Sequence, residues 1–193
     1  MQEKFSSIKK HILSVLSSKL PEYLTYHSVE HTKYVLKKVI YIASKEQVSG
    51  HDLFLLKIAA LYHDIGFIET HIEHENIGCD IARKELPKFG ISTNDIETIC
   101  GMIMATKIPQ QPKTNLEAIL ADADLEYLGT KHFETVSELL YKELMYFNPE
   151  LTREEWNTIQ INFMKSHKYH TKFCMRYKSF RKRNHMAKLQ KRD

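Results

Sequence analysis

Apolar residues recur along most of this chain at the spacing of an amphipathic helix, and no segment alternates as a strand would. We predict eight helices, with boundaries good to about two to four residues. They are expected at residues 4–19, 28–46, 51–65, 75–88, 93–106, 114–128, 131–147 and 153–180 or beyond. Ser28 and Thr152 are predicted N-caps, the latter in a capping box with Glu155. The sequence therefore predicts an all-α fold.

The length and composition suit one domain, because 193 residues, 42% of them hydrophobic, can bury a sizeable core. Within residues 1–193 we expect a body at about 20–130, C-terminal helices at about 131–180 and a basic tail at about 178–193. The N-terminal residues mix charges into their apolar positions, which predicts neither a secretory signal nor a membrane span, and hence a cytoplasmic location. The three cysteines lack a C-x-x-C spacing and favour reduced structural thiols.

Positive charge is concentrated near the C-terminus. The net charge is +4, and residues 165–193 hold 11 Lys and Arg residues against one acidic residue. Apolar residues at helical spacing in the same region predict a terminal helix that packs on the body and ends in a solvated, charged segment. We therefore do not expect nucleic acid as a partner, although such a tail could contact it or an anionic membrane surface.

Four polar side chains fall on helix faces that should be buried. They are His31, the adjacent pair His63 and Asp64, and Asp124. Apolar residues continue the same faces at helical spacing: Val35, Val39, Ile42, Leu56, Ala60, Leu116 and Leu120. Burying a carboxylate among such residues without a partner is costly, and a shared cation would remove the cost for all four. This pattern predicts a divalent-metal site with positions left open for water and substrate.

The order of these residues, with the strings IAALYHDIGF and ILADADLEYLG, resembles the ligand series of the HD superfamily of metal-dependent phosphohydrolases. The resemblance covers nearly the whole helical body and implies an HD-type bundle with the metal site in its core. Asp122 is a rival ligand, but two residues turn a helix by about 200°, so it and Asp124 cannot easily face one ion. The resemblance also places the ligand at Asp124.

The segment YHSVEHTKYV is similar to the Y-H-N-x-x-H-A-x-D-V signature of cyclic-nucleotide phosphodiesterases, a branch of the same superfamily. This similarity implies that His27 is the general acid and His31 a metal ligand. The segment departs from the signature at Ser28 and Tyr34, and the Asp-His segment that usually follows the HD pair is missing. A capping or surface role for His27 is the alternative.

The residues that follow the HD pair supply further candidates. His71, His74 and Glu75 come soon after it, and the resemblance favours His74 as a residue that reaches the site. Thr106 stands where two-metal members carry another histidine, which favours one tightly held ion, with a second Mg²⁺ or Mn²⁺ bridged by substrate left open. Lys107 is predicted to meet a phosphate, and a solvated lysine at a helix end is the alternative.

Together these features predict a hydrolase that cleaves a small phosphoester, a nucleotide or cyclic nucleotide, by attack of a metal-bound water that Asp64 or Asp124 orients. The metal could be Mn, Mg, Co, Ni, Fe or Zn. The first alternative is a nucleotide-binding or regulatory module without turnover. A di-iron oxygenase is a second alternative, and Thr106 counts against it. A homo-oligomer is compatible with the sequence.

Overall fold

The structure is a computed structural model and describes residues 1–191. Over this range the chain forms ten α-helices and no strand, which confirms the predicted all-α fold. The helices are α1 (Gln2–Lys19), α2 (Val29–Lys45), α3 (Gly50–Tyr62), α4 (His74–Glu85), α5 (Thr93–Met104), α6 (Asn115–Asp124), α7 (Phe133–Phe147), α8 (Arg153–Ser166), α9 (Lys172–Tyr177) and α10 (Ser179–Leu189). Within residues 1–191, no helix is both long and apolar enough to cross a membrane. The domain limits and the cytoplasmic location stay predictions.

Helix α3 forms the centre of the bundle, and α1, α2, α5 and α6 pack around it. It has almost no polar face: between Phe54 and Tyr62 every residue except Lys57 is buried. Each fully buried Leu or Ile side chain contributes about 1.5–3 kcal/mol relative to an exposed one. Because α3 ends just before His63 and Asp64, the central helix delivers both side chains to the interior.

Three predicted helices end earlier than their apolar pattern indicates and continue as short 3₁₀ helices. These turns are Ile65–Ile68, Leu86–Phe89 and Glu126–Gly129. In the first turn the chain passes very close to the start of α4, because a Cβ atom at Gly66 would lie 2.0 Å from the carbonyl oxygen of His74. The apolar pattern runs through these turns, so periodicity alone does not locate the helix end. Both predicted N-caps are confirmed: Ser28 accepts from the His31 N–H, and Thr152 forms the capping box with Glu155.

The prediction of one terminal helix over 153–180 is wrong, because the chain breaks between α8 and α9 and again before α10. The first break is held by Asp122, whose carboxylate accepts the backbone N–H groups of His170 at 2.9 Å and Thr171 at 2.8 Å. Thr171 then caps α9 by accepting from the N–H of Cys174. The Asp122 carboxylate, far away in sequence, therefore accepts the N–H groups that would bond to backbone carbonyl oxygens in a continuous helix.

The basic C-terminal segment packs more closely than predicted. Lys182 is 8% exposed, and its ammonium donates to the carbonyl oxygens of Met164, at 3.1 Å, and of His167. Leu189 at the end of α10 is also buried. Helix α10 thus belongs to the packed body. The last part of the predicted solvated tail, residues 192 and 193, lies outside the described residues.

Candidate metal centre

The four predicted metal ligands come together at the ends of three helices. His31 lies in the first turn of α2, His63 and Asp64 follow α3, and Asp124 ends α6. His31 Nε2 lies 3.0 Å from Asp124 Oδ1 and 3.3 Å from His63 Nε2. His63 Nε2 lies 3.1 Å from Asp64 Oδ2. The structure therefore brings all four side chains into one buried cluster.

The imidazole of His63 is held in one orientation. Its Nδ1 lies 3.0 Å from the carbonyl oxygen of Ala60, and because a carbonyl only accepts, Nδ1 carries the proton. This leaves Nε2 directed at Asp64 and Asp124. Burial disfavours the charged ring, but these two carboxylates outweigh burial and raise the pKa of His63. The cluster thus stabilises positive charge at Nε2, which suits a metal-binding histidine.

Both carboxylates of the cluster are ionised. Burial opposes ionisation, yet hydrogen bonds with His31 and His63 lower the pKa of Asp124 to about 2. Asp64 is also buried, but the neighbouring His63 holds the pKa of this carboxyl well below its usual range. Oδ2 of Asp64 is buried without any hydrogen-bond partner. A buried, ionised oxygen without a hydrogen bond is costly, and two imidazoles with two carboxylates fit a divalent cation, so the donor set is suitable for a metal.

A second group of donors lies on the other side of Asp64. His74, the first residue of α4, places Nε2 3.6 Å from Asp64 Oδ1 and 3.5 Å from Glu75 Oε1. The two oxygens of Asp64 thus face different histidines, His63 and His74. Thr106 stands nearby, but its hydroxyl donates to the carbonyl oxygen of Ile103 at 2.8 Å. Nitrogen ligands for a metal are therefore fewer on this side of the cluster than on the side of His31 and His63.

His27 is partly buried and does not cap α2, whose N-cap is Ser28. Its ring stacks on Phe67 with centroids 4.1 Å apart, and Nδ1 binds the buried carboxylate of Glu143 on α7. The same carboxylate accepts the N–H groups of Tyr26 at 2.8 Å and His27 at 3.0 Å. Burial works against the charged ring, but the bond to Glu143 and the nearby Asp64 together raise the pKa of His27. The surroundings of His27 thus favour its charged form more than water does.

One cavity of about 290 Å³ connects these groups. Its walls at one end include His27, Asp64, His74, Thr106 and Asp124. From there it extends between α7 and α8, where the walls become almost entirely apolar. Asp64 and Asp124 of the candidate metal cluster therefore share with His27 a single space that is large enough for a small molecule.

The sequence matches the family model of the HD domain over residues 28–126. The chain belongs to the HD-domain family. The fold is also similar to that of a predicted HD superfamily hydrolase from an uncultured Thermotogales bacterium, whose crystal structure aligns with a TM-score of 0.63 and 21% identity. That alignment covers 94% of this chain and 89% of the other. No curated protein sequence matches the chain.

The HD match contains all four clustered residues and His74, whereas His27 precedes it and Glu143 follows it. Sequence reasoning missed Glu143. The signal was present, because Glu143 lies three residues after Leu140 and one before Leu144, two apolar residues of α7 that line the cavity. An acidic residue on an apolar helix face is the same pattern that identified the metal cluster.

Three other residues that the sequence analysis considered for the site do not line this cavity. Asp122 is fully buried, but it binds the chain at residues 170–171. Lys107 is partly exposed, and its Nζ lies 2.6 Å from each carboxylate oxygen of Glu73. His71 is exposed and packs on Phe147, with ring centroids 4.6 Å apart. These three side chains therefore lie outside the group that the structure assembles.

Proposed function

We propose that this HD domain is a divalent-metal-dependent phosphohydrolase that cleaves a small phosphoester, with His31, His63, Asp64 and Asp124 as metal ligands. The observation that carries the proposal is that these four side chains form one cluster, and that two of them, Asp64 and Asp124, line the same cavity as His27. Metal-dependent hydrolysis is common in the HD superfamily. Nucleotides and cyclic nucleotides are the substrates that the similarity of residues 26–35 to phosphodiesterases implies.

The bound cation would activate water for attack on phosphorus and stabilise the charge that develops on the phosphoryl oxygens. His27 would donate a proton to the leaving oxygen, since Glu143 holds Nδ1 and a protonated ring carries a second N–H at Nε2. Asp64 would orient the attacking water, because its Oδ2 has no hydrogen bond. Lys107 is paired with Glu73, so we assign the contact with the phosphoryl group to His27 and His74.

A nucleotide-binding or regulatory HD module without turnover is the second candidate. Among residues 1–191, no Lys or Arg side chain lines the cavity, so the site has few cations to stabilise a phosphoryl transition state apart from the metal and His27. Such a module would retain the metal and bind its ligand without forming product. Turnover distinguishes the two candidates directly.

The test of the proposed function uses chelator-stripped protein to which Mn²⁺, Mg²⁺, Co²⁺ or Ni²⁺ is restored separately. Nucleoside monophosphates, cyclic nucleotides and generic phosphoesters are then assayed for hydrolysis. We expect product only in the presence of metal. Absence of product with every metal, in folded and metal-loaded protein, would favour the binding module.

Variants test the assignment of residues. His63→Ala and Asp64→Ala are expected to lose bound metal and all turnover, measured by elemental analysis and by rate. His71→Ala is the matched control, since this exposed histidine lies outside the cavity and should retain both. His27→Ala should keep the metal and lose rate. Stoichiometric metal in both His63→Ala and Asp64→Ala would refute the ligand assignment.

A further inference from the structure

The part of the cavity away from the metal cluster is an apolar compartment. Helices α7 and α8 supply the side chains that form most of its wall: Leu140, Leu144, Trp156, Ile159, Phe163 and Met164. An apolar cavity of roughly 150 Å³ suffices to bind benzene. The whole cavity measures about 290 Å³, so it has room for a phosphoryl group at the metal end and an aromatic ring or short alkyl chain beyond it.

The charges that face the cavity are confined to its metal end. The ionisable side chains there are His27, Asp64, His74, Glu75 and Asp124. Across the described range 1–191, neither Lys nor Arg contributes to the walls. A diphosphate or triphosphate chain brings several negative charges that proteins usually meet with Arg and Lys donors. The cavity is therefore suited to a single phosphoryl group.

The apolar compartment also offers little to a sugar. Gln160 is the polar side chain on the α8 wall, and its Oε1 already accepts from the hydroxyl of Ser137. Tyr127, another lining residue, packs against Tyr26, with ring centroids 5.8 Å apart. Ribose hydroxyls placed here would lose their water partners without adequate replacements, which disfavours binding. An apolar group loses no hydrogen bonds on entering the same space.

We propose that the substrate is a phosphate ester of an apolar alcohol, a short alkyl or an aryl phosphate, whose organic group occupies the compartment between α7 and α8. This inference rests on the phosphohydrolase function proposed above and replaces the nucleotide part of it. In the hydrolysis the water oxygen bonds to phosphorus and the ester P–O bond breaks. The alkoxide or phenoxide leaves with the proton of His27, one water hydrogen stays on the phosphate, and the other water proton restores His27 by way of solvent. The products are inorganic phosphate and the alcohol.

A binding series tests the compartment independently of catalysis. Trp156 is the single tryptophan of the chain and lines the cavity, so its fluorescence reports entry of a ligand. Ethyl, butyl, hexyl and octyl phosphate are titrated into metal-loaded His27→Ala protein, which should keep the metal and turn over slowly, below the concentrations at which the longer esters self-associate. Each added methylene should tighten binding by about fourfold until the compartment is full. Glycerol phosphate and adenosine monophosphate should bind more weakly than hexyl phosphate.

A matched pair of variants locates the effect. Ile159→Ser should reduce the gain in affinity per methylene, because Ile159 lines the compartment. Ile40→Ser is the control: Ile40 is exposed to a similar degree, 42% against 46% for Ile159, and lies outside the cavity. The inference is overturned if affinity does not depend on chain length, or if both variants lower it equally.

Rates measured on the same esters separate this inference from the proposed function. Binding that depends on chain length, without product in any metal, would support the apolar compartment and refute the phosphohydrolase. Efficient hydrolysis of nucleotides with no preference for alkyl or aryl esters would overturn the inference while supporting the phosphohydrolase. A kcat/KM that rises with chain length would support both.

Discussion

Replacing Glu143 by Gln is the sharpest test of the role proposed for His27. The Glu143 carboxylate accepts the N–H groups of Tyr26 and His27 and also binds the ring nitrogen Nδ1 of His27. Glutamine has nearly the same shape, and its amide oxygen can still accept a backbone N–H. The substitution therefore removes the negative charge beside the imidazolium with little change in packing.

The size of the effect follows from the kind of hydrogen bond that is lost. A hydrogen bond to a charged group contributes about 1.5–3 kcal/mol. If the substitution removes this much stabilisation of the imidazolium, the protonated fraction of His27 falls about 10- to 150-fold at a pH well above its pKa. The direction is clear, because Glu143 helps to raise the pKa of His27 while burial opposes it. In Glu143→Gln the pKa falls, so the activity that needs the acid should disappear at lower pH than in the unmodified protein.

The assay compares pH–rate profiles for an alkyl phosphate and a nitrophenyl phosphate, with metal content and the pKa of His27 measured by nitrogen NMR. The alkyl ester needs a proton on its leaving oxygen, so its rate near pH 8 should fall about 10-fold or more, whereas the nitrophenyl ester should be affected much less. Glu138→Gln is the control, since Glu138 lies on the same helix and pairs with Arg153 at the surface. Equal losses for the two esters, or an unchanged pKa of His27 in Glu143→Gln, would refute the reasoning.

Three further predictions concern stability. Gly66→Ala should lower the free energy of unfolding by about 1–3 kcal/mol in chemical denaturation, because the new Cβ would meet the His74 carbonyl; an unchanged midpoint would contradict that close approach. Burial and Lys182 lower the pKa of His167 to about 3, so below about pH 6.5 only the unfolded chain takes up the proton. Between pH 7 and 5 the free energy of unfolding should fall by about 2 kcal/mol more in the unmodified protein than in His167→Gln. Parallel curves of unfolding free energy against pH would refute this. A chain that ends at Tyr177 lacks the buried Lys182 and should melt at least about 4 °C lower while keeping its metal; an equal Tm would contradict the packing of α10.

The sequence was most informative where one helix alone carries the signal. His31 and Asp124 stand out because each interrupts an apolar face of its own helix, and the structure buries that face. The break after α8 has no such local signal. It depends on Asp122, which lies 48 residues before His170 and accepts its N–H. The apolar compartment likewise combines side chains of α7 and α8, so no single segment predicts it.

A buried acidic residue indicates that a partner exists, but the residue alone does not identify the partner. Asp122 is saturated by two N–H groups and the hydroxyl of Thr171, and Glu126 is bound by the ammonium groups of Lys38 and Lys178. Glu143 is occupied by two backbone N–H groups and the ring of His27. Asp64 differs, because its Oδ2 is buried among imidazole nitrogens without a hydrogen bond. Among these four acids, the three with fixed hydrogen-bond donors hold the fold or orient His27, and Asp64 Oδ2, which accepts no hydrogen bond, is the atom best suited to a cation.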